Sequence, residues 1–489
     1  MAGLSKSRIL TGSQCHRRLW WKVHEPEAEE LIPSPSQQAV FENGHRVGAA
    51  AIAAVPGGTL IEDNADRSQM VVDTATAINN GAPLLYEASF VHQQVFVAID
   101  ILEKNADGWT LIEVKSAASV KKHHHLDAAV QAWVANSNGV NITRIELMHL
   151  NSKHSAGGSE SLFQRTDITK HVQKRLSQIS DVAAELREML NGENPDVEVG
   201  SHCKQPYPCE FIQRCNPERG NDHIDRLYRV KKPIMEKLRH SGIEKISDIP
   251  DDVPLPQIAS RQRSALQKQA IEIDPKLLEA LDTIAYPALF IDFEAINSPL
   301  PAWEGAHPYE QIPVQVSMHL VHKDGSMTHH PWLAEGPEDP RPELAKAVLH
   351  IVDQATTLVA YFANFEQRMF RMLAAFLPPD EGARLLRKCD HFVDLLPMVR
   401  NHVYHPEFGG RFSLKKVLPA LIPELAYDDL EIQSGNIAST QLEAFILNQT
   451  PAPGPARDQL RENLLAYCER DTIALVQLTK ELRKLGGVA

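Results

Sequence analysis

Three consecutive strand-like runs near the start of the chain constrain its fold more than any other feature. They read LLYEASFV, QVFVAIDILEK and TLIEVKS, and a turn signal at residues 105–108 separates the last two. Segments with helical periodicity precede and follow them. We therefore predict an α/β fold for this part of the chain, with a mixed sheet flanked by helices.

The length and the later pattern predict more than one domain. A chain of 489 residues is long for one hydrophobic core. A second αβ pattern starts at the strand ALFIDFEAI and closes on the helix ENLLAYCERDTIALVQLTKEL, and the helical stretch before it is broken by the proline-rich DIPDDVPLPQ. We predict domains at residues 1–225 and 286–489, joined by a helical connector at 226–285.

Composition limits the class of protein. The hydrophobic share of 43% and the charged share of 23% are typical of a globular protein. No apolar run reaches the roughly 20 residues of a membrane span, and the basic N-terminus lacks the apolar core of a signal peptide. We expect a cytoplasmic protein without a membrane partner. The net charge of −13 argues against a basic nucleic-acid coat, but it permits a nuclease because clustered active-site carboxylates contribute to it.

The second and third strands carry a possible catalytic set. Asp100 lies in one strand, and Glu113 and Lys115 share a face of the next because side chains alternate along a strand. A hairpin-like return brings Asp100 alongside them. Carboxylates with the Val114 carbonyl suit Mg²⁺ or Mn²⁺, and Lys115 could orient or deprotonate a water. A surface ion pair would produce the same Glu-x-Lys pattern.

Other residues extend this set. His45 is a candidate metal ligand, and Glu87 is a candidate third acid. Asp127 and Gln131 share one helical face at a spacing of four. Gln131 could therefore position Lys115 or the scissile strand. We interpret residues 123–125, a run of three histidines, as exposed and facing phosphate.

The ordered series resembles the PD-(D/E)XK nucleases of the RecB family. The residues at that family's motif positions are His45, Asp100, Glu113, Lys115 and Gln131. The resemblance covers residues 1–220. It implies a metal-dependent nuclease that acts on nucleic acid, with DNA as the expected substrate and a helicase, repair or defence protein as a possible partner.

Four cysteines form a second pattern. Cys15 stands near the start, and Cys203, Cys209 and Cys215 form C-x(5)-C-x(5)-C. Disulfides are not expected in a cytoplasmic chain, so structural zinc and a [4Fe–4S] cluster are the two alternatives. The wide spacing favours the cluster, and some RecB-type nucleases are similar in bracketing the nuclease fold with one early and three late cluster-binding cysteines.

The C-terminal part contains a second acidic set. Asp292 and Glu294 share one face of an apolar strand, which is costly unless a cation lies between them. Later segments add further acids and a phenol, with the last two of these residues four apart on the closing helix. These later residues are Glu366, Asp394, Tyr467 and Asp471.

This set resembles the DnaQ-like DEDD exonucleases of the RNase H-like fold. The resemblance implies a two-Mg²⁺ site with Tyr467 orienting the water, held by the ligands Asp292, Glu294, Glu366 and Asp471. Position 366 is Glu where that family has Asp, so Asp394 is an alternative ligand. The whole architecture is similar to bacterial proteins that fuse a RecB-like nuclease with a cysteine cluster to an exonuclease-like domain of unassigned function.

Two other functional classes are compatible with the sequence. Glu366 and the basic connector also fit a non-catalytic nucleic-acid-binding scaffold with vestigial acidic sites, which would bind in a salt-dependent way without turnover. An iron–sulfur redox protein fits less well, because no glycine fingerprint for a flavin or nicotinamide is evident.

Overall fold

The computed structural model describes residues 4–64 and 66–487. The chain divides into two compact units, Met1–Glu218 with Ser298–Glu310, and Arg219–Asn297 with Gln311–Ala489. The predicted connector, residues 226–285, therefore belongs to the second unit. The first unit also takes a short stretch from between two strands of the second.

The first unit contains a seven-stranded mixed sheet within the described residues. Its strands are β1 (Leu4–Ser5), β2 (Thr59–Leu60), β3 (Leu84–His92), β4 (Val95–Asn105), β5 (Gly108–Lys115), β6 (Ile142–Leu150) and β7 (Phe163–Asp167). The order is β2-β3-β4-β5-β6-β7, and β1 pairs in parallel with the start of β4. The β3-β4-β5 meander and the β6-β7 pair are antiparallel, whereas β5 and β6 are parallel.

Helices cover both faces of this sheet. They are α1 (Lys6–Gln14), α2 (His16–His24), α3 (Pro35–Ala54), α4 (Arg67–Asn79), α5 (His124–Ser137), α6 (Thr169–Asn191) and the short α7 (Ile212–Cys215). The parallel β5-β6 pair requires a crossover, and α5 supplies it. Apolar residues of α4, α5 and α6 pack on one face and those of α3 on the other. The N-terminus of α3 is fixed by a capping box between Ser34 and Gln37, with Pro35 in the first turn.

The second unit has its own five-stranded sheet in the part of the chain that is described. The strands of this sheet are β9 (Ala288–Ile296), β10 (Ile312–Val321), β11 (Met327–Leu333), β12 (Thr357–Ala360) and β13 (Phe392–Asp394). Two further strands, β8 (Glu272–Ile273) and β14 (Val403–Tyr404), form a separate pair. The order is β11-β10-β9-β12-β13. The first three strands are antiparallel, and β12 and β13 continue in parallel from β9.

The helices of the second unit are α8 (Lys232–His240), α9 (Gln257–Lys268), α10 (Leu277–Leu281), α11 (Arg341–Val352), α12 (Asn364–Ala374), α13 (Pro379–Lys388), α14 (Leu395–His402), α15 (Leu414–Leu421), α16 (Gly435–Ile446) and α17 (Pro455–Leu485). Leu289, Ile291 and Phe293 of β9 pack with α11 and α12. Because side chains alternate along the strand, Asp292 and Glu294 lie on the opposite face.

The predicted connector has a small core of its own within the second unit. Apolar side chains of α8, α9 and the turns beside them form one buried cluster, which includes Leu238, Ile246, Ile249 and Leu266. The backbone of β8 pairs with β14, so residues 272–273 are joined to 403–404 through a sheet. The segment therefore belongs to the second unit and is joined to it through β8, and the predicted α/β class is confirmed for both units.

Within residues 4–64 and 66–487, no helix has the length and apolarity needed to cross a bilayer.

Candidate functional site

The first acidic set converges where β4, β5, α1 and α5 meet. The two oxygens of Glu113 accept from different groups: Oε1 from the ammonium of Lys115 at 2.5 Å and Oε2 from Gln131 at 2.5 Å. Asp127 accepts from Lys115 at 2.6 Å and from Gln131 at 3.1 Å. Asp100 accepts the Val114 N–H at 2.5 Å. The structure thus brings Asp100, Glu113, Lys115 and Gln131 together.

Lys6 is a member of this site that the sequence analysis missed. Its ammonium lies 3.1 Å from Glu113 and 3.0 Å from Asp127. It is the first residue of α1 and lies more than ninety positions from Asp100, so no local spacing links it to the motif. The site therefore contains two lysines, each paired with both Glu113 and Asp127.

The charges at this site compensate each other. Burial alone would lower the pKa of Lys6, but the charges of Glu113 and Asp127 outweigh it and raise that pKa. Burial likewise opposes the charged form of Asp127, but Lys6 and Lys115 hold the pKa of that carboxyl below its usual range. For Asp100, burial and the charge of Glu113 raise the pKa well above the ordinary value. In Asp100 the two ammonium groups therefore do not offset the effects of burial and of the Glu113 charge.

His45 and Glu87 lie at the edge of this site. His45 is exposed on α3, and its charge acts on the carboxyl of Glu87. Glu87 has a φ of 57°, an uncommon value for a non-glycine residue in a strand. Burial is the largest cause that raises the pKa of Glu87. The charges of Glu113 and Lys6 also act on Glu87, so Glu87 lies beside the acidic set, and His45 lies within electrostatic reach of Glu87.

One expectation about the histidine run is wrong. His124 was expected to be exposed, but only 3% of its surface is accessible, and its Nδ1 accepts the Lys121 N–H at 3.2 Å. The ring of His125 stacks on His171. His124 is the first residue of α5 and is buried, whereas His123 and His125 on either side of it are half-buried.

The four cysteine-bearing segments meet at the other end of α1. Cys15 caps α2, and its thiol accepts the Arg18 N–H at 3.5 Å. Arg18 forms a two-pronged ion pair with Glu210 at 2.7 and 2.8 Å, and Gln14 donates to the carbonyls of His202 and Tyr207. All four cysteines are free thiols. The early and late segments are therefore joined around the thiols by side-chain bonds.

The four thiols are the candidate ligands of a metal ion or cluster, and their present arrangement is not a closed site. Burial raises the pKa of Cys209, and the charge of Cys15 contributes in the same direction. Among the described residues, no three of these sulfur atoms lie mutually within 4.8 Å. Tetrahedral zinc with Zn–S bonds of roughly 2.3 Å would need sulfur atoms about 3.8 Å apart. No three of these thiols are therefore arranged, among the described residues, as ligands of a closed tetrahedral zinc site.

The second acidic set lies where β9 faces α17. One carboxylate oxygen from each of Asp292, Glu294 and Asp471 lies within 4.8 Å of the others. Glu366 lies nearby in the first turn of α12, and its Oε2 is buried without a hydrogen-bond partner among the described residues. The orphaned oxygen and the three clustered carboxylates fit hard divalent cations such as Mg²⁺ or Mn²⁺.

Burial and mutual repulsion dominate the electrostatics here. Burial, with the charges of Asp471 and Glu294, raises the pKa of Asp292 well above its usual range. Burial also raises the pKa of Glu294 to about 8, that of Glu366 to about 8 and that of Asp471 to about 6. These acids therefore remain partly protonated near neutral pH unless a cation replaces the protons.

Tyrosines and one lysine line this acidic set. The hydroxyl of Tyr427 donates to Asp471, and the ammonium of Lys415 lies 3.1 Å from the hydroxyl of Tyr467. Lys415 also donates to the Gln433 carbonyl at 2.6 Å. Tyr427 and Lys415 were missed by the sequence analysis, because they reach the site from segments of irregular spacing between β14 and α16.

Asp394 has a structural role in this unit. Its carboxylate caps α14 by accepting the Leu396 N–H at 2.9 Å, and it also accepts the N–H groups of Phe362 and Ala363 at 2.9 and 3.2 Å. Three backbone donors thus occupy its oxygens, and it is outside the carboxylate group of Asp292. Burial and the charge of Asp394 still raise the pKa of Glu366, so the role of Asp394 as an alternative ligand stays a prediction.

The comparisons with known proteins bear on part of the chain. Residues 289–413 match a domain of unknown function, DUF2779. That stretch contains Asp292, Glu294 and Glu366 but ends before α17. An uncharacterized protein of Ureaplasma parvum serovar 3, UU173, is 23% identical over 219 residues. The alignment covers 40% of this chain and 31% of that protein, less than a third of its length.

Proposed function

We propose that this protein is a metal-dependent nuclease that hydrolyses phosphodiester bonds of DNA. The observation that carries the proposal is the group of Asp292, Glu294 and Asp471, whose oxygens lie within 4.8 Å of one another on a buried strand and helix. Buried carboxylates at this spacing repel each other, and a protein retains them where a cation is bound. The RecB-like and DnaQ-like motifs support the same chemistry.

In the second unit, Asp292, Glu294, Asp471 and Glu366 would hold the cation. A divalent ion bound there would lower the pKa of a water and stabilise negative charge on a phosphate. Tyr467 presents its hydroxyl beside these acids, held at 3.1 Å from Lys415. Its burial raises the pKa of Tyr467, so the hydroxyl keeps its proton and can orient a water by donating to it.

In the first unit, Asp100 and Glu113 would provide the acidic ligands. Lys115 lies 2.5 Å from Glu113 and can orient a water there. Gln131 fixes Glu113 by donating to its second oxygen. We include a [4Fe–4S] cluster on Cys15, Cys203, Cys209 and Cys215 in the proposal, because side-chain bonds join the early and late cysteine segments and the sequence spacing is wider than that of usual zinc hooks.

A second candidate applies to the first unit. Lys6 and Lys115 together neutralise Glu113 and Asp127, as a closed ion-pair network would. A site that is compensated internally has less need of a cation. This observation favours a unit that binds nucleic acid without cutting it, with catalysis confined to the second unit.

The test is degradation of end-labelled single- and double-stranded DNA with Mg²⁺ or Mn²⁺. We expect Asp292→Asn to abolish activity of the second unit, and Lys115→Ala to abolish that of the first. Asp324→Asn and Lys122→Ala are the matched controls, since both positions are exposed. If the second candidate is right, Lys115→Ala cleaves as wild type does. Cleavage unchanged in both site variants, or absent in wild type, would overturn the nuclease proposal.

A further inference from the structure

A second cluster of possible metal ligands lies in the second unit, outside the carboxylate set. One ligand atom from each of His319, His329 and Glu469 lies within 4.8 Å of the others. His319 on β10 and His329 on β11 are directly opposite in the antiparallel register, and their rings stack at 4.3 Å. Glu469 reaches them from α17. Three separate elements thus place two imidazoles and a carboxylate together.

A chain of hydroxyls fixes the protons on both histidines. The Thr472 hydroxyl donates its one proton to the Glu469 carbonyl at 3.1 Å, since a carbonyl can only accept. The Ser317 hydroxyl, 2.6 Å from Thr472 Oγ1, must then donate to it. His319 Nδ1 at 2.8 Å must donate to the same oxygen. A neutral imidazole has one N–H, so His319 Nε2 carries no proton and its lone pair is free.

The same reasoning assigns the second imidazole. The Ser317 hydroxyl already donates its proton to Thr472, so its oxygen accepts a hydrogen bond from His329 Nε2, which lies 2.9 Å away. In the neutral ring His329 Nδ1 then also carries no proton, and this nitrogen lies 3.4 Å from Glu469 Oε1. With His329 neutral, two acceptor atoms therefore face each other with no hydrogen between them. A cation at this point would satisfy both.

We propose that His319, His329 and Glu469 bind a divalent transition-metal ion of the zinc class. Imidazole nitrogens favour such ions over Mg²⁺ or Ca²⁺, and two histidines with one glutamate form a known zinc ligand set with open positions. Metal-binding histidines typically donate their other ring N–H to a second group. Here Thr472 and Ser317 already accept those two N–H groups.

This site does not depend on the proposed nuclease activity. Its ligands differ from the carboxylates, although Ser317 pairs with Asp292 across β9 and β10, and Thr472 follows Asp471 on α17. An ion bound by residues of β10, β11 and α17 would tie that helix to the edge of the sheet. Zinc should therefore raise the melting temperature of the chain through this site.

The test is isothermal titration of the metal-stripped full chain with Zn²⁺ in excess Mg²⁺. Zinc ions bound by the cysteines contribute equally to the stoichiometry of every variant. The difference in bound zinc between wild type and a variant therefore gives the occupancy of the proposed site. We expect His329→Ala and Glu469→Gln each to lose one zinc equivalent. Ser317→Ala should keep the equivalent but bind it roughly 10- to 100-fold more weakly.

His330→Ala is the matched control, because its imidazole lies on the same strand and bonds to Thr328 at 3.0 Å. It should bind as wild type does. Circular dichroism checks that each variant folds, and both His329 and Glu469 are accessible enough for substitution without disrupting a core. Equal zinc stoichiometry in wild type, His329→Ala and Glu469→Gln would overturn the proposal and leave a histidine–glutamate ion pair only.

Discussion

At the scale of single residues, identical side chains acquire opposite electrostatic behaviour in the two units. Asp127 is held ionised by Lys6 and Lys115, whereas Asp292 is pushed towards its protonated form by burial and by neighbouring acids. Burial opposes the charged form of both aspartates. The number of ammonium groups within reach therefore decides which acidic set requires an added cation.

Lys6 should be a stabilising residue of the first unit. In Lys6→Ala, Glu113 and Asp127 keep one ammonium between them, and we expect a loss of about 2–3 kcal/mol because a largely buried ion pair loses one partner. Urea unfolding measures the loss. Lys122→Ala, at an exposed position, should change stability by less than about 0.5 kcal/mol. An equal, small effect of both substitutions would show that Lys6 is not part of the network in solution.

At the scale of elements, α17 sets the geometry of the second acidic set. Its residues Tyr467 and Asp471 are four apart and so face the same way. The Gln315 side chain of β10 donates to the Leu464 carbonyl at 2.8 Å, and the Cys468 thiol donates to the Asp292 carbonyl at 3.7 Å. These two hydrogen bonds fix the rotation of α17 about its axis and its position along that axis relative to the sheet. A shift by one residue would remove Asp471 from the site.

The early and late cysteine segments form another element-scale feature, because α2 and the loop before α7 meet around the thiols. Anaerobically purified protein should show a broad visible absorption from thiolate-to-iron charge transfer. Cys203→Ser should lose the absorption and lower the melting temperature, since a bound cluster contributes folding energy. Cys389→Ser, a buried thiol of the second unit, is the control and should keep the colour. Colourless wild-type protein that contains zinc would contradict the cluster.

At the scale of the whole molecule, the buried acids make stability depend on pH. The pKa values of Glu294 and Glu366 are raised to about 8, against about 4.3 in an unfolded chain. The folded state binds more protons, so their contribution is complete below pH 4 and is lost as pH rises towards 8. Buried His124 and His319, with pKa values lowered to about 4, oppose this trend below pH 6.5.

Metal-free protein should therefore melt at a lower temperature at pH 8.5 than at pH 6.5. Mn²⁺ should restore stability more at the higher pH, because it then displaces fewer protons. Thermal unfolding in chelator and in Mn²⁺ measures both effects. Glu366→Gln should flatten the metal-free profile, whereas Glu338→Gln, at an exposed position, should not. A melting temperature without pH dependence in chelator would contradict the raised pKa values.

The sequence by itself determined the α/β class and the strands that carry the acids. Alternation along β5 and β9 already placed Glu113 with Lys115 and Asp292 with Glu294, because a strand fixes side-chain direction locally. It also placed Tyr467 with Asp471, because a helix repeats every 3.6 residues. These are short-range properties of the backbone, and a single sequence contains them.

Only the tertiary structure decided which distant residues complete each site. Lys6, Lys415 and Tyr427 reach the acids through chain segments whose spacing carries no periodic signal. The fold also assigned Asp394 to a helix cap, buried His124 and joined residues 226–285 to the second unit. The physical reason is that charge compensation and burial depend on distances in space, which packing sets and local sequence does not.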